Sequence, residues 1–234
     1  MVLLWTCPSC VYAYDFVPTD AEWIAWPDYC KARYITLPVG ENTKWASELS
    51  AVNVVLARKK IGEDTFTHVH HYCAGVTWLN RANQEVVSSE RLKFYRNAIS
   101  EISYVLERVD HRQPIASGII IKIAQAYEGI NELSIAEKFY REAVDLHKDN
   151  GSAYASLANF LRKNKRFNEA KKILLDGDFL TEETSMDINI VMAHLLIDMG
   201  DNVQAAVYAK KGYKMGYPLP GLKKKLEDLK LWSE

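Results

Sequence analysis

His68-Val69-His70-His71-Tyr72-Cys73 is where metal-type ligands crowd together in this 234-residue sequence. On a helix His68 and His71 share a face, and imidazole with thiolate suits zinc or copper. A metal site needs three or four convergent ligands, and beyond Cys30 there is no second cluster. The plainer reading has the histidines lining the start of a helix and Cys73 packed or bridged, so no metal and no cofactor is expected. A metal- or redox-linked protein built on His68, His71, Cys73 and Cys30 stands as the alternative. Cys7-Pro8-Ser9-Cys10 would suggest a redox or metal pair on its own, but no thioredoxin-like strand–helix pattern follows it. Nucleophilic catalysis has little to build on: there is no Gly-x-Ser-x-Gly elbow, no phosphate-cradling glycine loop and no His-Glu-x-x-His. Tyr72, Trp78, Asn80 and Arg81 could form a polar and aromatic site, yet aromatics at helical spacing are more often core. The chain therefore reads as a non-enzyme.

What would position these residues follows from composition first. Hydrophobic residues make up 48% and charged residues 25%, enough to bury a substantial core. A net charge of -1 supplies no global field toward nucleic acid. No stretch approaches the ~20 consecutive apolar residues of a membrane-spanning helix, so an integral membrane protein is not expected. Residues 1–13 are uncharged and largely apolar, and Val11-Tyr12-Ala13 puts small residues where a signal peptidase cuts. They form a candidate signal peptide, although short and without the usual Lys or Arg. Export predicts a periplasmic protein beginning at Tyr14; retention would make it a cytoplasmic adaptor. In an oxidising compartment the remaining pair, Cys30 and Cys73, suits one disulfide closing a loop of roughly 40 residues, worth about 3–4 kcal/mol on the loop-entropy model.

A repeat search gives the clearest signal. Ala124, Tyr127, Ala136, Tyr140 and Ala143 lie between Ser117 and Asn150 at the spacing of two antiparallel helices. A shift of 34 gives Ala158, Leu161, Ala170, Leu174 and Gly177, and a further 35 gives Ala193, Leu196, Ala205, Ala209 and Gly212. Small residues at these positions let helix axes approach to ~8–10 Å. Gly129-Ile130-Asn131, Lys163-Asn164-Lys165 and Met199-Gly200-Asp201-Asn202 fall between the helices, where glycine and asparagine accept left-handed geometry.

These residues resemble the tetratricopeptide repeat family, whose unit of about 34 residues is a helical hairpin. The resemblance covers residues 117–217. It departs from the family pattern where Lys148 and Glu182 replace the terminal prolines and where aromatics are lost in the second and third repeats. Trp26–Tyr34 and His71–Ala82 together resemble a poorly characterised group of exported bacterial tetratricopeptide proteins, which brings no known chemistry. The family binds extended peptides or partner helices on the surface lined by the first helix of each repeat. Its register implies a groove of Ile121, Gln125 and Glu128, then Ala155, Asn159 and Arg162, then Ile190, His194 and Ile197. Asn159, Arg162 and Lys163 make only a fragment of the carboxylate clamp of chaperone-binding members. A mixed apolar and polar groove, suited to an amphipathic segment of a protein or peptide partner, is the expectation.

The fold class predicted is thus all-α: a tetratricopeptide-type α-solenoid of about four hairpins. Residues 14–44, with Pro18, Pro27 and Pro38, form an irregular cover packing through Trp23, Trp26 and Tyr34. Residues 45–116 form a divergent helical region, with helices over Trp45–Ile61, His68–Gln84 and Glu90–Arg108. One face of that hairpin carries Val69, Tyr72, Val76 and Leu79, the other Leu92, Tyr95, Ile99, Ile102 and Leu106. Residues 218–234 cap the array through Leu222, Leu226, Leu229 and Trp232, since an uncapped solenoid leaves an apolar face wet. The reading is an interaction or assembly scaffold, within reach of a membrane-associated assembly.

Overall fold

The protein was analysed as a computed structural model that describes residues 16–232; the candidate signal peptide and the Cys7–Cys10 pair lie outside the described residues. Helices are the regular elements of the described residues. In chain order they are α1 (Asp20–Ala25), α2 (Asp28–Tyr34), α3 (Pro38–Glu41), α4 (Ala51–Ile61), α5 (Glu63–Gln84), α6 (Ser88–Leu106) and α7 (Ile115–Gly129). There follow α8 (Leu133–Leu146), α9 (Gly151–Lys163), α10 (Phe167–Leu180), α11 (Met186–Asp198), α12 (Asn202–Lys214) and α13 (Gly221–Asp228).

The pairs α7/α8, α9/α10 and α11/α12 are the three repeats, preceded by the longer hairpin α5/α6, and successive hairpins stack. This is an all-α solenoid of stacked helical hairpins. Its spacing rule is visible in the core: Ala124, Ala136, Ala158, Ala170, Ala193 and Ala205 are all fully buried. A larger side chain at any of them would push two axes apart. Gly177 and Gly212 work the same way, because an added Cβ would land 2.5 Å from Tyr154 Cγ and 2.5 Å from Ile190 Cδ1 respectively.

The turns follow a different logic from the one expected at Gly129. The left-handed residue of each repeat is Asn131 (φ 63), Lys165 (φ 62) and Gly200 (φ 85), one structural position repeated at intervals of 34 and 35. Gly129 instead ends α7 where a Cβ would lie 2.2 Å from the Tyr95 ring. Glycine is needed there for close approach of the preceding hairpin.

The N-terminal segment, irregular from its prolines, is broken into the three short helices α1–α3. A capping box of Thr19 and Glu22 starts α1, and Pro27 stands at the N-cap of α2. Trp23, Trp26, Tyr34 and Trp45 make a buried aromatic cluster, with Trp23 and Trp45 stacked at 4.9 Å. Three ties fix this cover to α5. Glu22 accepts two hydrogen bonds from Arg81, both 2.7 Å. Trp26 Nε1 donates to Thr77 Oγ1 at 2.9 Å. Cys30 and Cys73 are joined as a disulfide with Cα atoms 5.8 Å apart.

Other boundaries shift for local reasons. α4 starts at Ala51, not Trp45, because Ser50 and Asn53 form a capping box and Trp45 belongs to the aromatic cluster. α5 starts at Glu63, directly after Gly62 (φ 83), which places His68–Cys73 well inside the helix. Val69, Tyr72 and Leu79 are buried as expected, while Leu92 is exposed. At the other end Leu222 and Leu226 are buried, but α13 stops at Asp228 and leaves Leu229 exposed. Trp232 returns to pack edge-on against Tyr213 at 5.2 Å.

Candidate functional site

Two clefts open on the face built by α7, α9 and α11. One, of about 350 Å³, is lined by Asn83, Tyr95, Gln125, Glu128, Tyr140, Ser156, Asn159 and Lys163 among others. Its neighbour, of about 300 Å³, is lined by Ser152, Ala155, Ser156, Asn159, Asp187, Ile190, Val191 and Tyr217. Ser156 and Asn159 belong to both, so α9 forms a shared wall and the two make one groove across the repeats.

Of the nine groove residues expected from the register, Gln125, Glu128, Ala155, Asn159 and Ile190 line this groove. The apolar half of the expectation changes. Ile121, Ala155 and Ile190 are only 7%, 4% and 5% exposed, because they pack between helices and their side chains are spent on the core. Ile197 is partly buried against the cap. Arg162 is drawn aside by Asp198 at 2.6 Å, an ion pair that ties α9 to α11. Beside it His194 is held below the usual histidine value by burial, then by Arg162 and Lys225.

What remains in the groove is polar, and its side-chain amide oxygens are already occupied. Gln125 Oε1 accepts from Lys122 Nζ at 3.2 Å, and Asn159 Oδ1 accepts from Arg162 at 3.0 and 3.3 Å. Cationic donors on those oxygens fix how the two amides are turned. Asn83 Oδ1 accepts from the Tyr95 hydroxyl at 2.8 Å. Glu128 accepts from the Tyr140 hydroxyl and from Lys163, each at 2.8 Å. Burial, and then the carboxylate of Glu128, push the Tyr140 phenol far up, so it stays a donor. Burial alone lowers Lys122. The Asn83, Gln125 and Asn159 amide N–H groups and the Ser156 hydroxyl make no hydrogen bond among the described residues. The groove therefore offers open donors to whatever enters it.

Sequence reasoning missed Asn83, Tyr95, Ser156 and Tyr217. Ser156 lies one helical turn before Asn159, and that spacing could have found it. Asn83 and Tyr95 come from α5 and α6, and only the stacking of that hairpin on α7 brings them in.

The histidine cluster resolves into structural contacts. His71 Nδ1 is 2.6 Å from Glu101 Oε2, and the Tyr104 hydroxyl is 3.3 Å from His68 Nδ1. With Cys73 and Cys30 bonded to each other, neither sulfur is left as a thiolate ligand. Among the described residues no group of three or more His, Cys, Asp or Glu could hold a metal ion. Tyr72 is buried, and Trp78 stacks on Phe94 at 5.3 Å with the Arg81 guanidinium 4.6 Å from its ring centre. No helix of the described residues is long and apolar enough to cross a membrane.

No protein-family model matches the sequence, and no curated protein matches it. Among solved structures, one named MamA AMB-1 C2221 is similar at 12% sequence identity and a TM-score of 0.41, over 84% of this chain and 99% of that one. A likeness that distant adds nothing to the site, and the fold stands on the repeated hairpins described above.

Proposed function

We propose that the chain is a non-catalytic interaction scaffold that holds an extended or helical segment of a partner protein in the groove along α7, α9 and α11. The observation that carries this is the run of open donors, Asn83, Gln125, Ser156 and Asn159, on a continuous wall whose amide oxygens are satisfied within the chain. A peptide main chain, rich in carbonyl acceptors, suits such a wall. The buried Ile121, Ala155 and Ile190 give it a rigid backing, so little ordering cost falls on the scaffold when a segment binds.

The test uses a peptide library displayed on phage and selected on the wild-type protein. Selected peptides are then titrated against wild type and Gln125→Ala/Asn159→Ala. Two hydrogen bonds at about 1 kcal/mol each predict a loss of roughly 30-fold. Equal affinity for both proteins, or no enrichment in the selection, removes the groove from consideration.

We also place the chain in the periplasm as its working compartment. The uncharged apolar residues 1–13 and the pairing of Cys30 with Cys73 support this reading. N-terminal sequencing of native protein decides it: Tyr14 at the terminus is the expected result, and an intact Met1 refutes export.

A further inference from the structure

Helix α4 is apolar on two opposite sides, and the chain covers only one of them. Val54, Ala57 and Ile61 pack inward against the N-terminal core. Diametrically opposite, Val52, Val55 and Leu56 are 64%, 63% and 58% exposed. At 3.6 residues per turn these three occupy one stripe about 100° wide. The helix is firmly built, with the Ser50–Asn53 capping box at one end and Gly62 at the other. The exposed stripe is thus a fixed surface of the fold.

Its charge says what fits it. No Asp or Glu occurs within Ala51–Ile61, while Arg58, Lys59 and Lys60 fill the last turn. Arg58 pairs with Glu63 at 3.4 Å. Lys59, in line with the apolar stripe, and Lys60, on its flank, are exposed and make no ion pair among the described residues. A second copy of α4 would offer Lys59 and Lys60 no carboxylate, since the helix itself carries none. No wall rises beside Val52, Val55 and Leu56, each more than half exposed. A protruding aliphatic row edged by lysines matches a medium that is apolar beneath a negatively charged surface.

We infer that α4 is a peripheral membrane contact that lies flat on anionic lipid, with Val52, Val55 and Leu56 inserted and Lys59 and Lys60 at the headgroups. This surface is separate from the groove, and neither reading depends on the other.

Flotation of the full chain with vesicles tests it, comparing phosphatidylcholine alone with phosphatidylcholine containing one-third phosphatidylglycerol. Binding is expected on the anionic vesicles only, weakening as salt is raised. Lys59→Gln/Lys60→Gln should lower the apparent affinity roughly 30-fold, at about 1 kcal/mol for each lysine. Val55→Asp/Leu56→Asp should abolish binding with the helical circular dichroism unchanged, because both side chains are exposed. Two results overturn the inference: no flotation with anionic vesicles, which leaves the face to an acidic protein partner, or flotation that Val55→Asp/Leu56→Asp does not alter.

Discussion

Breaking the Cys30–Cys73 bond should loosen the N-terminal cover while leaving the repeats folded. The two cysteines are 43 residues apart, and the loop-entropy relation gives about 4 kcal/mol for a closed loop of that size. Both are only 1% exposed, so a thiol reductant reaches the bond after the cover opens and not before. In a solenoid each hairpin contacts its neighbours alone, and the loss should stay near α1–α5 and not spread through α7–α12. The tryptophans make this measurable. Trp23, Trp26, Trp45 and Trp78 pack in or against the same cluster as the disulfide, whereas Trp232 sits against the C-terminal cap. Tryptophan fluorescence thus reports mainly the cover, and far-ultraviolet circular dichroism reports all the helices. With an m-value of ~2 kcal/mol/M, a loss of that size moves the urea midpoint seen by fluorescence down by roughly 2 M. Cys30→Ala/Cys73→Ala is the cleaner variant, because alanine leaves no buried hydroxyl or thiol to satisfy. A fluorescence midpoint that stays within about 0.5 M of wild type would refute a stabilising role for the disulfide in the cover. Its local character would be refuted by fluorescence and circular dichroism shifting together by the same amount.

Two glycines of the array should respond in opposite directions. Gly177→Ala puts a Cβ 2.5 Å from Tyr154 Cγ, at the root of the side chain where little can give, and should cost about 1–3 kcal/mol in urea unfolding. Gly118→Ala, within α7 and with nothing within 4 Å of the new Cβ, should gain about 0.5–1 kcal/mol; a loss there would show that the helix surface is tighter than its geometry says. His70 should make stability depend on pH. Burial first, then the charges of His71, Arg33 and His68, lower it to about 3. The unfolded chain binds a proton near 6.5 and the folded chain does not, so this contribution is complete above pH 6.5, declines as pH falls, and is gone near 3. Unfolding free energies at pH 6 and pH 5, above the carboxylate range, should differ by about 1 kcal/mol from this residue. His70→Phe should flatten that step, and an undiminished slope in the variant would assign it elsewhere.

The all-α class and the repeat phase were legible in the sequence, because close helix packing leaves alanine or glycine at fixed intervals. Ala124, Ala158 and Ala193 mark the first helices and Ala136, Ala170 and Ala205 the second, and all six are buried. Small residues have few other reasons to recur at 34 and 35. The pairing of Cys30 with Cys73 was legible too, once Cys7 and Cys10 were set aside. What the sequence could not settle is how exposed each candidate is. Ile121 has the register of a groove residue yet is packed between helices, and Ala155 and Ile190 reach the groove wall with only 4% and 5% of their surface exposed. Arg162 has the chemistry of a ligand-binding cation, yet Asp198, 36 residues away, occupies it. Asn83 and Tyr95 enter the groove from another hairpin, and Gly129 exists to admit Tyr95. Periodicity fixes which side of a helix a residue faces. Only the stacking of helices distant in sequence decides whether that side meets the core, a neighbouring charge or an open cleft.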